Sequence, residues 1–150
     1  MKTLVCLLFF GVVLTPATIN AQNTENLELL NAAMYVESRA QLINAWLDHC
    51  VKLNPLKVNY FQLSAEDWKV NNAEIVSISD NVLLEFKTEH GGILNQLKAS
   101  LMKDVHREQM SLDIEHQLTH CDNFFNGIDA KKQDIAYLNS KDYNLLINFK

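Results

Sequence analysis

A regular apolar stripe runs along the chain from Leu29. Its residues recur at alternating steps of four and three: Leu29, Ala33, Val36, Ala40, Ile43, Leu47 and Cys50. This spacing places the apolar side chains on one face of an α-helix and leaves the other faces polar. Asn54-Pro55 ends the pattern, because a residue before proline is disfavoured in the helical conformation. We therefore predict a first helix over about residues 25–53.

A second helix is predicted from Ser64 to the Gly91-Gly92 pair. Ser64 has the side chain of a helix N-cap, and the acidic residues after it suit the positive end of the helix dipole. Leu63 and Trp68 occupy the two positions of a hydrophobic staple. A helical stripe follows at Trp68, Ile75, Ile78, Val82 and Phe86. The alternative is a β-hairpin over residues 75–88 with its turn at Asp80-Asn81, because this segment contains several β-branched residues.

Two further helices are predicted in the last third of the chain. The tract 93–126 carries two successive stripes, and the shift between them near Met110 and Ser111 predicts a kink or a change of packing partner. Gly127 is expected to end this helix, and a last helix is predicted over about 130–148. Four helical segments with short connections favour an all-α, up-down four-helix bundle. The hairpin alternative would make the fold α+β.

The first 21 residues have the pattern of a secretory signal peptide. A positive start at Met1-Lys2 precedes the apolar run Leu4–Leu14, and small residues follow as far as Ala21. The run is shorter than the roughly 20 residues of a membrane-spanning helix, although an uncleaved anchor is the alternative. We predict cleavage after Ala21, with Ala17 as a second choice. The mature protein, residues 22–150, is then a single helical domain without a membrane span, located in the periplasm or secreted.

Removal of the signal peptide leaves two of the three cysteines. Cys50 lies near the C-terminal end of the first predicted helix and Cys121 near that of the third. These two helices run parallel in an up-down bundle, so both cysteines reach the same end. In an exported protein this placement predicts a Cys50–Cys121 disulfide. Two buried, unpaired thiols are the alternative.

Three histidines accompany the cysteines. His49 and His120 each precede a cysteine, and His116 lies one helical turn before His120. If the cysteines meet, His49, His116 and His120 gather at one end of the bundle, where imidazoles suit zinc or copper. Such spacing also arises often by chance, so solvated histidines beside a structural disulfide are the simpler interpretation.

Composition and missing motifs set the expected function. The chain has 13 Lys+Arg against 18 Asp+Glu and a net charge of −5, which disfavours nucleic acid and attracts basic partners. It has no Cys-x-x-Cys-His, glycine-rich phosphate loop or G-x-S-x-G motif, so we predict no cofactor and no enzymatic activity. The expected function is protein binding, as an inhibitor, immunity factor or accessory subunit. Metal binding by the histidines is the alternative, and an enzyme with an unrecognised site is a third hypothesis.

Overall fold

The fold is a set of packed helices. A computed structural model describes the backbone of residues 16–149 and the side chains of residues 24–86, of 111–149 and of a few positions between them. Its elements are α1 (Pro16–Leu53), a 3-10 helix (Pro55–Lys57), α2 (Val58–Asn71), α3 (Ala73–Met110), α4 (Ile114–Asp129), α5 (Ile135–Leu138) and α6 (Ser140–Ile147). No strand occurs in this backbone, which confirms the all-α class. The sequence pattern predicted four helical segments, whereas this described backbone contains six α-helices.

The predicted signal peptide falls mostly outside the described residues. Of residues 1–21, only the backbone of 16–21 is described, and it forms the first turns of α1. Cleavage after Ala21 therefore stays a prediction. Within residues 16–149, no helix combines the length and apolar character needed to cross a membrane.

Helix α1 is the central element, and its sequence stripe faces the core as predicted. Ala33 and Val36 are fully buried, as are Ile43 and Cys50. The small Ala33 lets α3 approach closely, and the buried Ser79 hydroxyl donates a hydrogen bond to the Ala33 carbonyl at 2.8 Å. This bond satisfies a hydroxyl group that would otherwise be costly to bury.

Helix α2 begins earlier than the sequence pattern suggests. Pro55 opens the 3-10 helix, and α2 continues from Val58, so Ser64 lies inside a helix rather than at its N-cap. The Ser64 hydroxyl is buried and donates to Asp129 Oδ1 at 2.7 Å. The predicted staple is also wrong, since Leu63 is exposed while Trp68 is buried. A serine suited to capping is used here for a tertiary hydrogen bond.

A bend at Asn72 separates α2 from α3. The Asn72 backbone leaves helical geometry (φ −108°, ψ 9°), and its side chain is buried. Its amide nitrogen donates to the Trp68 carbonyl at 2.8 Å, and its amide oxygen accepts from the Ile135 N–H at 3.0 Å. The predicted single helix from Ser64 to Gly91-Gly92 is therefore divided by a contact with a residue distant in sequence.

The remaining boundaries are partly as predicted. The hairpin alternative is wrong, because residues 75–88 lie within α3. The Gly91-Gly92 pair does not end a helix either, since glycine inside a helix costs only about 1 kcal/mol per residue. The break near Met110 is confirmed: α3 ends there and α4 begins at Ile114. Gly127 lies within α4, which continues to Asp129, so the predicted end at Gly127 is wrong.

Helix α4 runs parallel to α2 and antiparallel to α1. The pairs Lys57–Asp122, Ser64–Asp129 and Trp68–Gln133 keep a constant sequence offset of 65, which defines the parallel direction. Against α1 the order reverses, because Cys50 meets Cys121 while Arg39 donates a hydrogen bond to Gln133. The expected parallel arrangement of the two cysteine-bearing helices is therefore wrong. The up-down order of a simple four-helix bundle stays a prediction.

A candidate interaction surface on helix α2

The predicted disulfide is present. Cys50 and Cys121 are bonded, with their Cα atoms 5.7 Å apart, and both residues are fully buried. The bond joins the last turn of α1 to the middle of α4, which are 71 residues apart in sequence. It therefore anchors α4 at the end of the molecule where α1 turns into α2.

The inner face of α2 is held against α4 by apolar and polar contacts. The Phe61 and Phe125 rings are both fully buried, with centroids 4.7 Å apart. Lys57 Nζ forms an ion pair with Asp122 at 2.7 Å beside them. The pair is well exposed, so its contribution is at most about 1 kcal/mol. The buried rings, rather than the ion pair, dominate the attachment of α2.

The Tyr60 hydroxyl adds a polar link between α2 and α4. It lies 2.9 Å from both Asp129 Oδ2 and Asn126 Oδ1 and donates its proton to one of them at a time. Partial desolvation raises the pKa of Tyr60 to about 12, and the neighbouring Asp129 carboxylate contributes in the same direction. Tyr60 is thus a neutral hydrogen-bond donor at physiological pH.

Three strongly exposed apolar side chains lie on the outer face of α2 and on the 3-10 helix that precedes it. Leu56 is 98% exposed, Leu63 is 68% exposed and Val70 is 67% exposed. Leu63 and Val70 are seven residues apart in α2, which is close to two full helical turns, so they lie nearly in line, and Leu56 precedes them in the 3-10 helix. We call these three residues the α2 row. The exposed acidic residues Glu66 and Asp67 flank the row on its two sides.

The sequence interpretation missed the α2 row because it began the helix too late. The first predicted helix ends at about residue 53 and the second begins at Ser64, which leaves Leu56 and Leu63 without a helical register. The seven-residue spacing of Leu56, Leu63 and Val70 is the signal that was available. Their exposure became evident only when the buried positions Phe61, Ser64, Ala65 and Trp68 defined the opposite face.

The three candidate metal-binding histidines occupy different surroundings. His49 is half-buried, and its ring lies edge-on to Trp46 with centroids 6.4 Å apart. His116 is exposed, and its Nδ1 lies 2.8 Å from the Asp113 carboxylate. His120 is half-buried next to Cys121. The described residues contain no group of three His, Cys, Asp or Glu side chains suited to a metal ion. Metal binding by these histidines stays a prediction.

Asp113 caps α4, and this cap makes the stability of the helix depend on pH. The Asp113 carboxylate accepts a hydrogen bond from the His116 backbone N–H at 2.9 Å. This bond, followed by the contact with the His116 ring, lowers the pKa of Asp113. A carboxyl with a lowered folded-state pKa stabilises the fold above its unfolded pKa of about 3.9 and loses that contribution as the pH falls through the folded value.

Replacing Asp113 therefore has a predictable pH signature. Asp113→Asn keeps a good N-cap but cannot ionise, so we expect wild type to lose stability relative to this variant as the pH falls below about 4. Urea unfolding of both proteins between pH 2.5 and 7 measures the difference. Asp113→Ala, which lacks the cap, is expected to be the less stable of the two variants at neutral pH. A wild-type-minus-Asn difference independent of pH would contradict the prediction.

Two cavities open on the described surface away from the α2 row. One, of about 440 Å³, lies where α1, α2 and α3 meet and includes Trp68 and Val76 in its lining. The other, of about 590 Å³, lies between the start of α1 and α6. Neither cavity contains a cysteine or histidine in its lining. The predicted metal-binding residues and the cavities are thus separate features.

Comparison with known protein families, curated proteins and solved structures finds no match to the chain.

Proposed function

We propose that this is an exported, non-catalytic protein that binds a basic protein partner through the α2 row. The observation that carries the proposal is the exposure of Leu63 and Val70 on the solvent-facing side of α2, with the exposed Leu56 in the 3-10 helix before it. Single exposed apolar residues are common on protein surfaces, but several on one face of the molecule offer more than one apolar contact to the same partner. The part of the row within α2, from Leu63 to Val70, spans roughly 10 Å of helix.

Charge supports a basic partner. Glu66 and Asp67 flank the α2 row, and the whole chain has a net charge of −5. Acidic groups at the rim of an apolar contact steer a cationic partner toward it and repel acidic competitors. A second copy of this acidic chain would be repelled in the same way. The complementary surface is therefore an apolar strip bordered by Lys or Arg.

The attachment of α2 also favours binding. Phe61 and Trp68 are buried on its inner face, and the Cys50–Cys121 disulfide anchors the neighbouring α4. The helix that presents the α2 row is thus ordered before any partner arrives. Preorganisation of this kind increases affinity, because less conformational entropy is lost on association.

Export is supported by two independent features. Residues 1–21 have the order of charged, apolar and small residues that is typical of a signal peptide. The Cys50–Cys121 disulfide suits the oxidising conditions of the periplasm or the cell exterior. A partner should accordingly be sought in those compartments.

Photo-crosslinking tests the proposal in the source cells. A benzophenone amino acid is placed at Leu63, and the matched control carries it at Leu84, which is 65% exposed on α3. We expect the Leu63 position to capture a protein with a basic surface, and the Leu84 position not to do so. Crosslinking of the same proteins from both positions would contradict the proposal.

Affinity measurements with the purified captured protein complete the test. Leu63→Glu should weaken binding at least tenfold, because it places a charge in the centre of the apolar contact, whereas Leu84→Glu should leave the affinity unchanged. Binding should also weaken as the salt concentration rises, since opposite charges at the rim are screened. Equal effects of the two substitutions, or binding that is insensitive to salt, would overturn the assignment.

A further inference from the structure

The cavity between α1 and α6 combines an apolar wall with two opposite charges. Its volume of about 590 Å³ lies in the usual range of small-ligand pockets, about 300–1,000 Å³. Leu29, Leu145 and Phe149 supply apolar surface to its lining. Glu25 from α1 and Lys141 from α6 supply a carboxylate and an ammonium group. The cavity therefore offers separate contacts for an apolar body and for two charges.

Two of the three apolar side chains that line this cavity are held in place by the core. Leu29 is only 5% exposed and belongs to the core, and the half-buried Leu145 packs against that core. Phe149 remains 42% exposed, so its ring is available to cover a ligand. A ligand with an aliphatic body would bury apolar surface on all three side chains, which is favourable by roughly 25 cal/mol per Å².

The two charged side chains are available to a ligand. Lys141 Nζ lies 4.0 Å from Glu28 Oε1, at the outer limit of an ion pair, and both side chains are largely exposed. Such a pair is weak and can be displaced by a ligand carboxylate. Glu25 is exposed on the other helix of the cavity and can accept hydrogen bonds from a ligand ammonium group.

Three carboxamides complete the lining. Asn26 lies on α1, Asn144 lies on α6, and Asn148 lies at the C-terminal cap of α6. The Asn148 amide nitrogen donates to the Asn144 carbonyl at 2.8 Å, which holds that side chain in place. Carboxamides both donate and accept hydrogen bonds, so they suit a ligand that contains an amide or the polar groups of an amino acid.

We propose that this cavity binds a small zwitterion with an apolar body, namely an apolar amino acid or a short apolar peptide. The ligand ammonium group binds Glu25 and its carboxylate binds Lys141. Its side chain packs on Leu29, Leu145 and Phe149. This site shares no residue with the α2 row, so ligand binding here can be tested independently of the proposed protein partner.

Titration calorimetry and amide NMR with four probes test the proposal. L-leucine carries both charges, L-leucinamide lacks the carboxylate, 4-methylpentanoic acid lacks the ammonium group, and leucyl-leucine represents a peptide. We expect L-leucine or leucyl-leucine to bind and to shift the backbone amide signals of Asn144 and Asn148. Stronger binding of the dipeptide would identify peptides as the ligand, and stronger binding of leucine would identify amino acids. The two singly charged probes should bind at least threefold more weakly.

Matched variants assign the charged contacts. Glu25→Gln and Lys141→Gln should each lower the affinity for the tightest probe at least threefold, because each removes one ionic contact. Glu85→Gln and Lys69→Gln alter exposed residues outside this cavity and should leave the affinity unchanged. Absence of binding by both zwitterionic probes would overturn the proposal, as would equal affinity for the singly charged probes.

Discussion

Removing the Cys50–Cys121 disulfide is expected to lower the free energy of unfolding by about 4 kcal/mol. The bond closes a loop with a sequence separation of 71 residues, and its loss greatly increases the number of conformations open to the unfolded chain. Both cysteines are fully buried, so the paired substitution Cys50→Ala with Cys121→Ala leaves no reactive thiol in the core. Urea unfolding of the oxidised wild type and of the double variant measures the difference.

Reduced wild-type protein provides the control for this prediction. Reduction cleaves the same bond without changing the carbon skeleton, so it should shift the unfolding midpoint in the same direction and by a similar amount. Agreement between the two would attribute the effect to the cross-link rather than to repacking around alanine. A loss smaller than about 1 kcal/mol in the double variant would show that the chain-entropy account does not apply here.

Trp68→Ala is expected to destabilise the fold by about 3–5 kcal/mol. Trp68 is 1% exposed, and its indole nitrogen donates to the Gln133 carbonyl at 2.9 Å. Truncation leaves a large cavity beside α2 and removes a link to the segment between α4 and α5. Thermal and urea unfolding of the variant, followed by far-UV circular dichroism, measure the loss.

Two further variants separate the causes of this loss. Trp68→Phe keeps most of the apolar volume but removes the indole N–H, so it should cost less than Trp68→Ala. Val70→Ala changes the exposed face of the same helix and should alter stability by no more than about 0.5 kcal/mol. If Val70→Ala were as damaging as Trp68→Ala, the assignment of inner and outer faces of α2 would be wrong.

The Cys50–Cys121 disulfide and Trp68 also bear on the proposed function. Trp68 packs on the inner side of α2, and the disulfide anchors the neighbouring α4. A variant that loosens this support is expected to weaken partner binding without touching the α2 row, since the helix must then be ordered on association. Leu63→Glu differs in that it should reduce binding while the free energy of unfolding remains close to that of wild type. Stability measurements on each variant therefore distinguish a binding residue from a supporting one.

Local sequence patterns predicted the parts of the fold that local physics controls. The α1 stripe was correct from Leu29 to Cys50, because a long helix with one buried face requires apolar residues every three or four positions. The interruption after Met110 was also visible in the shift between two stripes. The disulfide partners followed from the count of cysteines that remain after the predicted signal cleavage.

Other boundaries depended on contacts between distant residues. Ser64 resembles an N-cap in sequence, yet its hydroxyl binds Asp129 from the middle of a helix. Asn72 ends α2 because the Ile135 N–H and the Trp68 carbonyl both bind its side chain. Neither partner can be identified from the local pattern, since Asp129 and Ile135 lie more than 60 residues away along the chain.

The sequence alone determined the helical class, the main apolar face of α1 and the pair of cysteines that bond. Hydrophobic periodicity and cysteine count suffice for these features, because each depends on the spacing of residue types. Only the tertiary structure decided that α4 runs antiparallel to α1 and parallel to α2. The same packing buried Phe61 and Trp68 and so turned Leu63 toward solvent. The exposure of a side chain depends on which neighbour covers the helix, and that neighbour is set by the folding of the whole chain.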